Sequence, residues 1–324
     1  MNYNPLVSDL IEIFDGYTKF DFNGVKLYLR HFSIRDQSLI ADSYEKFKTL
    51  AEKKGLESEF QIFERLKADG TWTENDDLKI AELQNYIDNL KKSKDKIFLP
   101  SQKDEHQKLI DSEESSLNLL LAKKKELVGI SCEEFALKRS NEEFLRFLIY
   151  DSKNLVDHNF TEQRFGELNN EEIYLLNNKY FEISNKFSDK QIQKIVLQDF
   201  FNMYLSVCEN PQAFFGKNIC NLSAYQMKLL LYGKIFNNIF QYHDDIPNDI
   251  KQDPEEIFKF IDLKKTRDQY QNSTKENSTS VIFGATKKDL EILDPEAKKI
   301  SLSEEILKNG GSLNMEQMIQ LMNQ

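Results

Sequence analysis

The chain has 324 residues, 40% hydrophobic and 12% aromatic, enough apolar material to build a core and to exclude wholesale disorder. Its formal net charge of −11 opposes phosphate backbones and counts against nucleic acid as a partner of the chain as a whole. Eleven glycines and six prolines are few for this length, which disfavours a turn-rich all-β fold and suits long helices.

Residues 5–14 ("PLVSDLIEIF") fit either a short helix or an extended arm. Phe20, Phe22, Val25, Leu27 and Leu29 then alternate with polar neighbours around Asn23-Gly24. An Asn-Gly pair suits a type I′ turn, in which both central residues take positive φ, so a β-hairpin is predicted. Ser33 is placed to cap a helix that stops at Gly55, and residues 56–68 predict another short amphipathic helix closed by Asp69-Gly70.

Residues 73–128 read most clearly. Ile80, Leu83, Ile87, Leu90 and Ile97 recur at spacings of three, four and seven, a seam interrupted only by Lys94. Pro100 disfavours α conformation at Leu99, and Ser101 is placed to cap the helix that restarts. The return arm carries Ile110, Leu117, Leu120, Leu121, Leu127 and Val128 on one face, so the two arms predict an antiparallel helical hairpin. Charges of both signs on its outer faces predict a solvated projection.

From 131 to 263 helix is expected to follow helix. Ser131 with Glu134 matches a capping box. Ile173, Leu176, Tyr180, Ile183 and Phe187 share a helical face, and Ser188 is placed to cap one helix running through Ile192, Phe200 and Val207 to Asn210-Pro211. The segment "LSAYQMKLLLYGKIFNNIFQYH" is nearly apolar on two sides and is expected at the centre of the core. Asp253 and Pro254 open a further helix with proline at its first position and carboxylates in its first turn. "QNSTKENSTS" (271–280) reads as a polar linker to a tail of short pieces. In the last of these, Met315, Met318, Ile319 and Met322 share a face, which suits docking in a partner's groove or folding back on the chain's own core. The expected architecture is mainly α: a multi-helix bundle with a small N-terminal β-hairpin, a projecting antiparallel helical hairpin and an extended C-terminal tail. Its domains are 1–72, 73–130, 131–268 and 269–324.

Chemistry is harder to find. Among four histidines (His31, His106, His158, His243) there is no HExxH, and no nucleophile elbow, Walker loop or GxGxxG is present. "IFGATKK" lacks the second glycine and the preceding buried strand of a phosphate-binding loop. "YHDDIPNDIKQDPEE" concentrates His243, Asp244, Asp245, Asp249 and Asp253 without the glycine and terminal glutamate of a calcium loop, and reads as an acidic helix start. Cys132 follows a predicted cap without a sequence-local base, and reads as a small semi-buried residue. Tyr and Phe recur over 174–260 at helical spacing beside Leu and Ile, which favours core packing over base stacking. Three widely spaced cysteines predict reduced thiols, and neither a secretory signal nor a membrane span is predicted. No catalytic residue, metal ligand or cofactor is assigned. The expectation is a soluble protein used inside a cell.

The opening stretch "FDFNGVKLYLRHFSIRDQ" (20–37) carries a family resemblance. A short hairpin, an arginine on its exit ("VKLYLRHF") and an immediate capped helix ("SIRDQSLIADSYEKF") resemble the start of baseplate and tail-assembly proteins of contractile-tailed bacteriophages. Members often read Lys/Arg-Phe-Arg-Pro-Phe on the strand; the matching positions here are Lys26, Tyr28, Arg30 and Phe32, with His31 where proline is common. "ADGTWT", "IFLPSQ" and "CEEFALKRSNEEFL" are also similar to phage structural-gene products. The resemblance implies a non-enzymatic structural or assembly protein, present in the host cytoplasm during assembly and in the virion if retained. It would bind other tail or baseplate proteins, tape-measure protein included, with homo-oligomerisation open. Arg30 and Phe32 would then be structural, Arg30 pairing a carboxylate at the core edge. Two other classes stay open: an acidic regulatory adaptor for a host or phage protein, and an enzyme built around the 243–253 acids.

Overall fold

The computed structural model describes residues 4–97, 99–208, 214–276 and 286–293. The protein is mainly α, with a small three-stranded antiparallel sheet near the N-terminus. In chain order the elements begin with α1 (Pro5–Asp15), β1 (Tyr17–Phe22), β2 (Val25–Arg30), α2 (Asp36–Lys53), α3 (Glu59–Ala68), α4 (Glu74–Lys94) and α5 (Pro100–Val128). There follow α6 (Cys132–Leu148), β3 (Ile149–Tyr150), α7 (Glu162–Gly166), α8 (Asn170–Lys186), α9 (Asp189–Val196) and α10 (Asp199–Ser206). After a 3-10 turn (Ile219–Asn221) come α11 (Ala224–Tyr242), α12 (Pro254–Glu276) and α13 (Lys287–Leu293). The described residues fall into two compact units, drawn from 1–68 with 128–257 and from 69–127 with 258–324.

In the first unit, Asn4 caps α1 by accepting the Leu6 N–H, which resolves residues 5–14 in favour of helix. The hairpin turns at Asn23 (φ 53°) and Gly24 (φ 80°) between the paired residues Phe22 and Val25. Two consecutive left-handed residues are what the strand twist demands of a two-residue turn. A third strand joins the hairpin: β3 pairs Ile149 and Tyr150 with Leu29 and Tyr28. Two residues that continue a helical pattern offer no alternation to read, so only tertiary pairing identifies this strand. The helix expected from Ser33 instead starts at Asp36, whose carboxylate accepts both the N–H and the hydroxyl of Ser33 and holds 33–35 as a turn. Ser131 does cap α6, accepting the Glu134 N–H, and α2 packs along α6.

The single helix expected from Ser188 to Val207 is two. Gln198 takes an extended conformation (ψ 140°) between α9 and α10, and the redirected chain buries Phe201 as well as Ile195 and Val196. Helix α11 buries Leu229, Leu230, Gly233 and Phe236 on one side only. At Gly233 the missing side chain matters: an added Cβ would meet Leu205 Cδ2 at 2.7 Å and Phe201 Cε1 at 3.3 Å, so α10 lies against α11 there.

The second unit is organised around α4 and α5. They run antiparallel, as the facing pairs Asp77–Lys124 and Lys91–Glu114 show, and bury Ile87, Leu90, Ile110 and Leu117 between them. Trp72 is buried at the foot of α4, where its indole N–H donates to Asp77 Oδ1 at 3.0 Å and Lys124 lies over its ring. Pro100 occupies the first position of α5, but Ser101 does not act as a cap. It is a donor instead, giving its N–H (2.8 Å) and hydroxyl (2.5 Å) to Asp289, which also takes the N–H and hydroxyl of Thr286. Helix α12 runs on to Glu276, into the stretch expected to be linker. No glycine or proline lies between 255 and 276 to stop it.

Candidate functional site

The hairpin exit is built for structure. Arg30 forks onto Asp36 with N···O distances of 3.0 and 2.6 Å, the carboxylate partner expected for it. Burial alone would raise the Asp36 carboxyl, but the bonds from Arg30 and Ser33 outweigh it and hold the group below the usual carboxylate range. The Phe32 carbonyl accepts the Ala224 N–H at 2.7 Å, and its ring meets Phe144 edge-on. The start of α11 is thereby tied to the sheet. Gln226 extends that tie by donating to the carbonyls of Ile13 and Phe14 at the end of α1.

His31 sits inside this junction, 3% exposed, between Phe187 and Tyr225. The Thr18 hydroxyl donates to Glu12 at 2.8 Å, so toward His31 Nε2, 2.9 Å away, it accepts. That arrangement puts the imidazole proton on Nε2 and leaves Nδ1 as a buried acceptor with no partner. Burial first, then Lys186, Arg30 and Lys217, drive the imidazole pKa down to about 3. A ring held neutral near pH 7 against a Thr18 hydroxyl already committed to Glu12 packs and positions that hydroxyl and is not set up to take its proton.

The 243–253 acids lie on a surface loop with Asp244, Asp249 and Asp253 exposed, and Asp253 accepts the N–H groups of Glu255 and Glu256 at the start of α12. Among the described residues no group of three His, Cys, Asp or Glu side chains could hold a metal ion. Cys132 is fully buried rather than semi-buried; its thiol donates to the Leu56 carbonyl, and burial raises its pKa. No helix of the described residues is long and apolar enough to cross a membrane.

What the first unit leaves open is apolar surface. Helix α10 and its C-terminal cap leave Met203, Tyr204 and Val207 exposed, the last 77% accessible, while Phe201 is buried. Helix α11 exposes Met227, Leu231 and Tyr242 opposite its buried face. Helix α8 likewise leaves Tyr174 and Phe181, seven residues apart, outside while Leu176 and Ile183 are buried. Helical periodicity puts each set on one stripe. The aromatic residues of 174–260 are therefore only partly core, a correction to the packing expected of them. Apolar positions too numerous for a single buried stripe are the signal in the sequence, and the same excess also suits a helix buried on two sides. Met315, Met318, Ile319 and Met322 lie outside the described residues.

No family model, curated protein or solved structure matches this chain.

Proposed function

We propose that this protein is a non-enzymatic binding and assembly component that docks other proteins on the uncovered stripes of α8, α10 and α11. The observation that carries the reading is the exposure of large apolar side chains on the outward faces of those three helices, most closely spaced at Met203, Tyr204 and Val207 and at Met227 and Leu231. Isolated exposed apolar residues are ordinary, but stripes of them on neighbouring turns mark interaction surfaces. Methionine and tyrosine, which adapt or anchor at low entropic cost, are prominent in them.

The resemblance of residues 20–37 to tail-assembly and baseplate proteins of contractile-tailed phages supplies the partner class: other tail or baseplate proteins, tape-measure protein included. On this reading the protein acts in the host cytoplasm during assembly. Arg30, Phe32, Asn23, Gly24 and Pro100 then serve the scaffold, and the methionine-bearing tail is a second docking element. Affinity purification of the full-length chain from infected cells, with captured proteins identified by mass spectrometry, tests the assignment. Recovery of a tail or baseplate protein supports it; recovery of a host polymerase or nuclease in its place supports an adaptor and overturns it.

A further inference from the structure

Strand β1 is an edge: among the described residues β2 pairs along one side of it and no strand along the other. Its register, from Tyr17–Arg30 to Phe22–Val25, is unbroken, and the strand holds no bulge, glycine or proline. A two-residue turn closes on a hydrogen-bonded pair, here Phe22–Val25, and alternation makes Phe20–Leu27 and Thr18–Leu29 hydrogen-bonded pairs too. The His31 N–H, donating to the Gly16 carbonyl at 2.8 Å, continues the same phase. The N–H and C=O groups of Lys19 and Asp21 therefore aim away from β2, and among the described residues they meet no backbone partner. Such unpaired edges are templates for another strand.

The side chains of this edge select the strand that fits it. Lys19 and Asp21 are exposed on the outer face, where Asp21 Oδ1 accepts the Gly24 N–H at 3.0 Å. Thr18 and Phe22 are buried on the opposite face, with Phe20 half-buried between them. When two copies of β1 pair antiparallel, only the odd-numbered positions exchange hydrogen bonds across the seam. A two-fold axis at Phe20 sets Lys19 of each copy opposite Asp21 of the other, so the same two pairs exchange hydrogen bonds and match charges. A shift of two residues sets Lys19 against Lys19, or Asp21 against Asp21. A charged edge that only wards off other strands needs no such matching.

We propose that β1 pairs with β1 of a second copy of this chain, antiparallel about a two-fold axis at Phe20, joining the two sheets into one. Each chain carries a charge of −11, so long-range repulsion disfavours less matched contacts and keeps this dimer weak, half-formed near about 100 μM. The pairing goes beyond the docking function and uses none of its three helices.

Sedimentation equilibrium of the full-length chain, from about 5 to about 500 μM, tests the pairing with two single variants, Lys19→Glu and Asp21→Lys. The wild type is expected to approach the dimer mass at the top of that range. Each variant alone sets like charges opposite each other at both pairs and should weaken dimerisation at least about tenfold. An equimolar mixture of the two should dimerise at least as well as the wild type, because every facing pair is again of opposite sign. Hydrogen exchange at the Lys19 and Asp21 amides of the wild type should slow as its concentration rises. Asp21→Lys also meets Lys26 across the hairpin, so circular dichroism checks its folding, and Lys19→Glu, which faces Tyr28, stays decisive by itself. A wild type still monomeric at about 500 μM, a dimer indifferent to Lys19→Glu, or a folded mixture that stays monomeric overturns the proposal.

Discussion

Asp36 and His31 stabilise the hairpin exit in opposite senses of charge, and this separates their pH windows. The folded chain keeps His31 neutral down to about pH 3, whereas an unfolded imidazole takes up its proton near 6.5. Between those values the unfolded state binds more protons. The stability contributed by the neutral ring is therefore complete above the unfolded value and falls as pH drops, by up to about 1.4 kcal/mol per pH unit. Asp36 acts lower, because its depressed pKa keeps the ion pair intact until pH falls through the folded carboxyl's own range. Urea unfolding at about pH 7.5 and about pH 5 should give a lower midpoint in acid, and His31→Gln, which can still donate to Thr18, should remove most of that difference. An unchanged slope in the variant would contradict the assignment. Asp36→Asn leaves the Arg30 guanidinium, itself 22% exposed, without its anion. It should cost about 2 kcal/mol in the same assay, below the range for a fully buried pair because water reaches Arg30.

Elements were legible in the sequence wherever their cause is local. The Asn23-Gly24 turn, the Ser131 cap and the Pro254 helix start each rest on residues a few positions apart. Apolar periodicity located α4 and α5 because their seam is a repeating pattern. What stayed hidden depends on distant partners. Nothing near Ser101 announces Asp289, 188 residues on, and nothing in "LIY" announces pairing with Leu29. The break at Gln198 has no glycine or proline to mark it; the burial of Phe201 dictates it. The resemblance implied a carboxylate for Arg30 without singling out Asp36, and the apolar stripes of the first unit carry nothing in the sequence that separates them from core. Two predictions belong at this scale. Asp289→Ala removes the acceptor shared by Ser101 and Thr286, so α13 should lose its hold on α5. Hydrogen exchange at 286–293 should rise to rates near those of a free peptide, while α4 and α5 stay protected; unchanged protection of α13 would refute the anchoring role. Gly233→Val forces a branched side chain against Leu205 and Phe201 and should destabilise the first unit by about 1–3 kcal/mol, read from its urea midpoint.

At the scale of the molecule, an acidic chain with a net charge of −11 resists self-association through its surface charge while leaving apolar stripes on three helices of one unit. That combination suits a protein kept soluble until a specific partner covers the stripes, which is what an assembly component requires. The most direct measurement is hydrogen exchange of the full-length chain, free and saturated with whichever protein the affinity purification recovers. The account predicts slowed exchange concentrated in α8, α10 and α11, lost together with binding in a Val207→Glu, Leu231→Glu double variant that still folds. A footprint that avoids all three helices, or undiminished binding by the double variant, would contradict it.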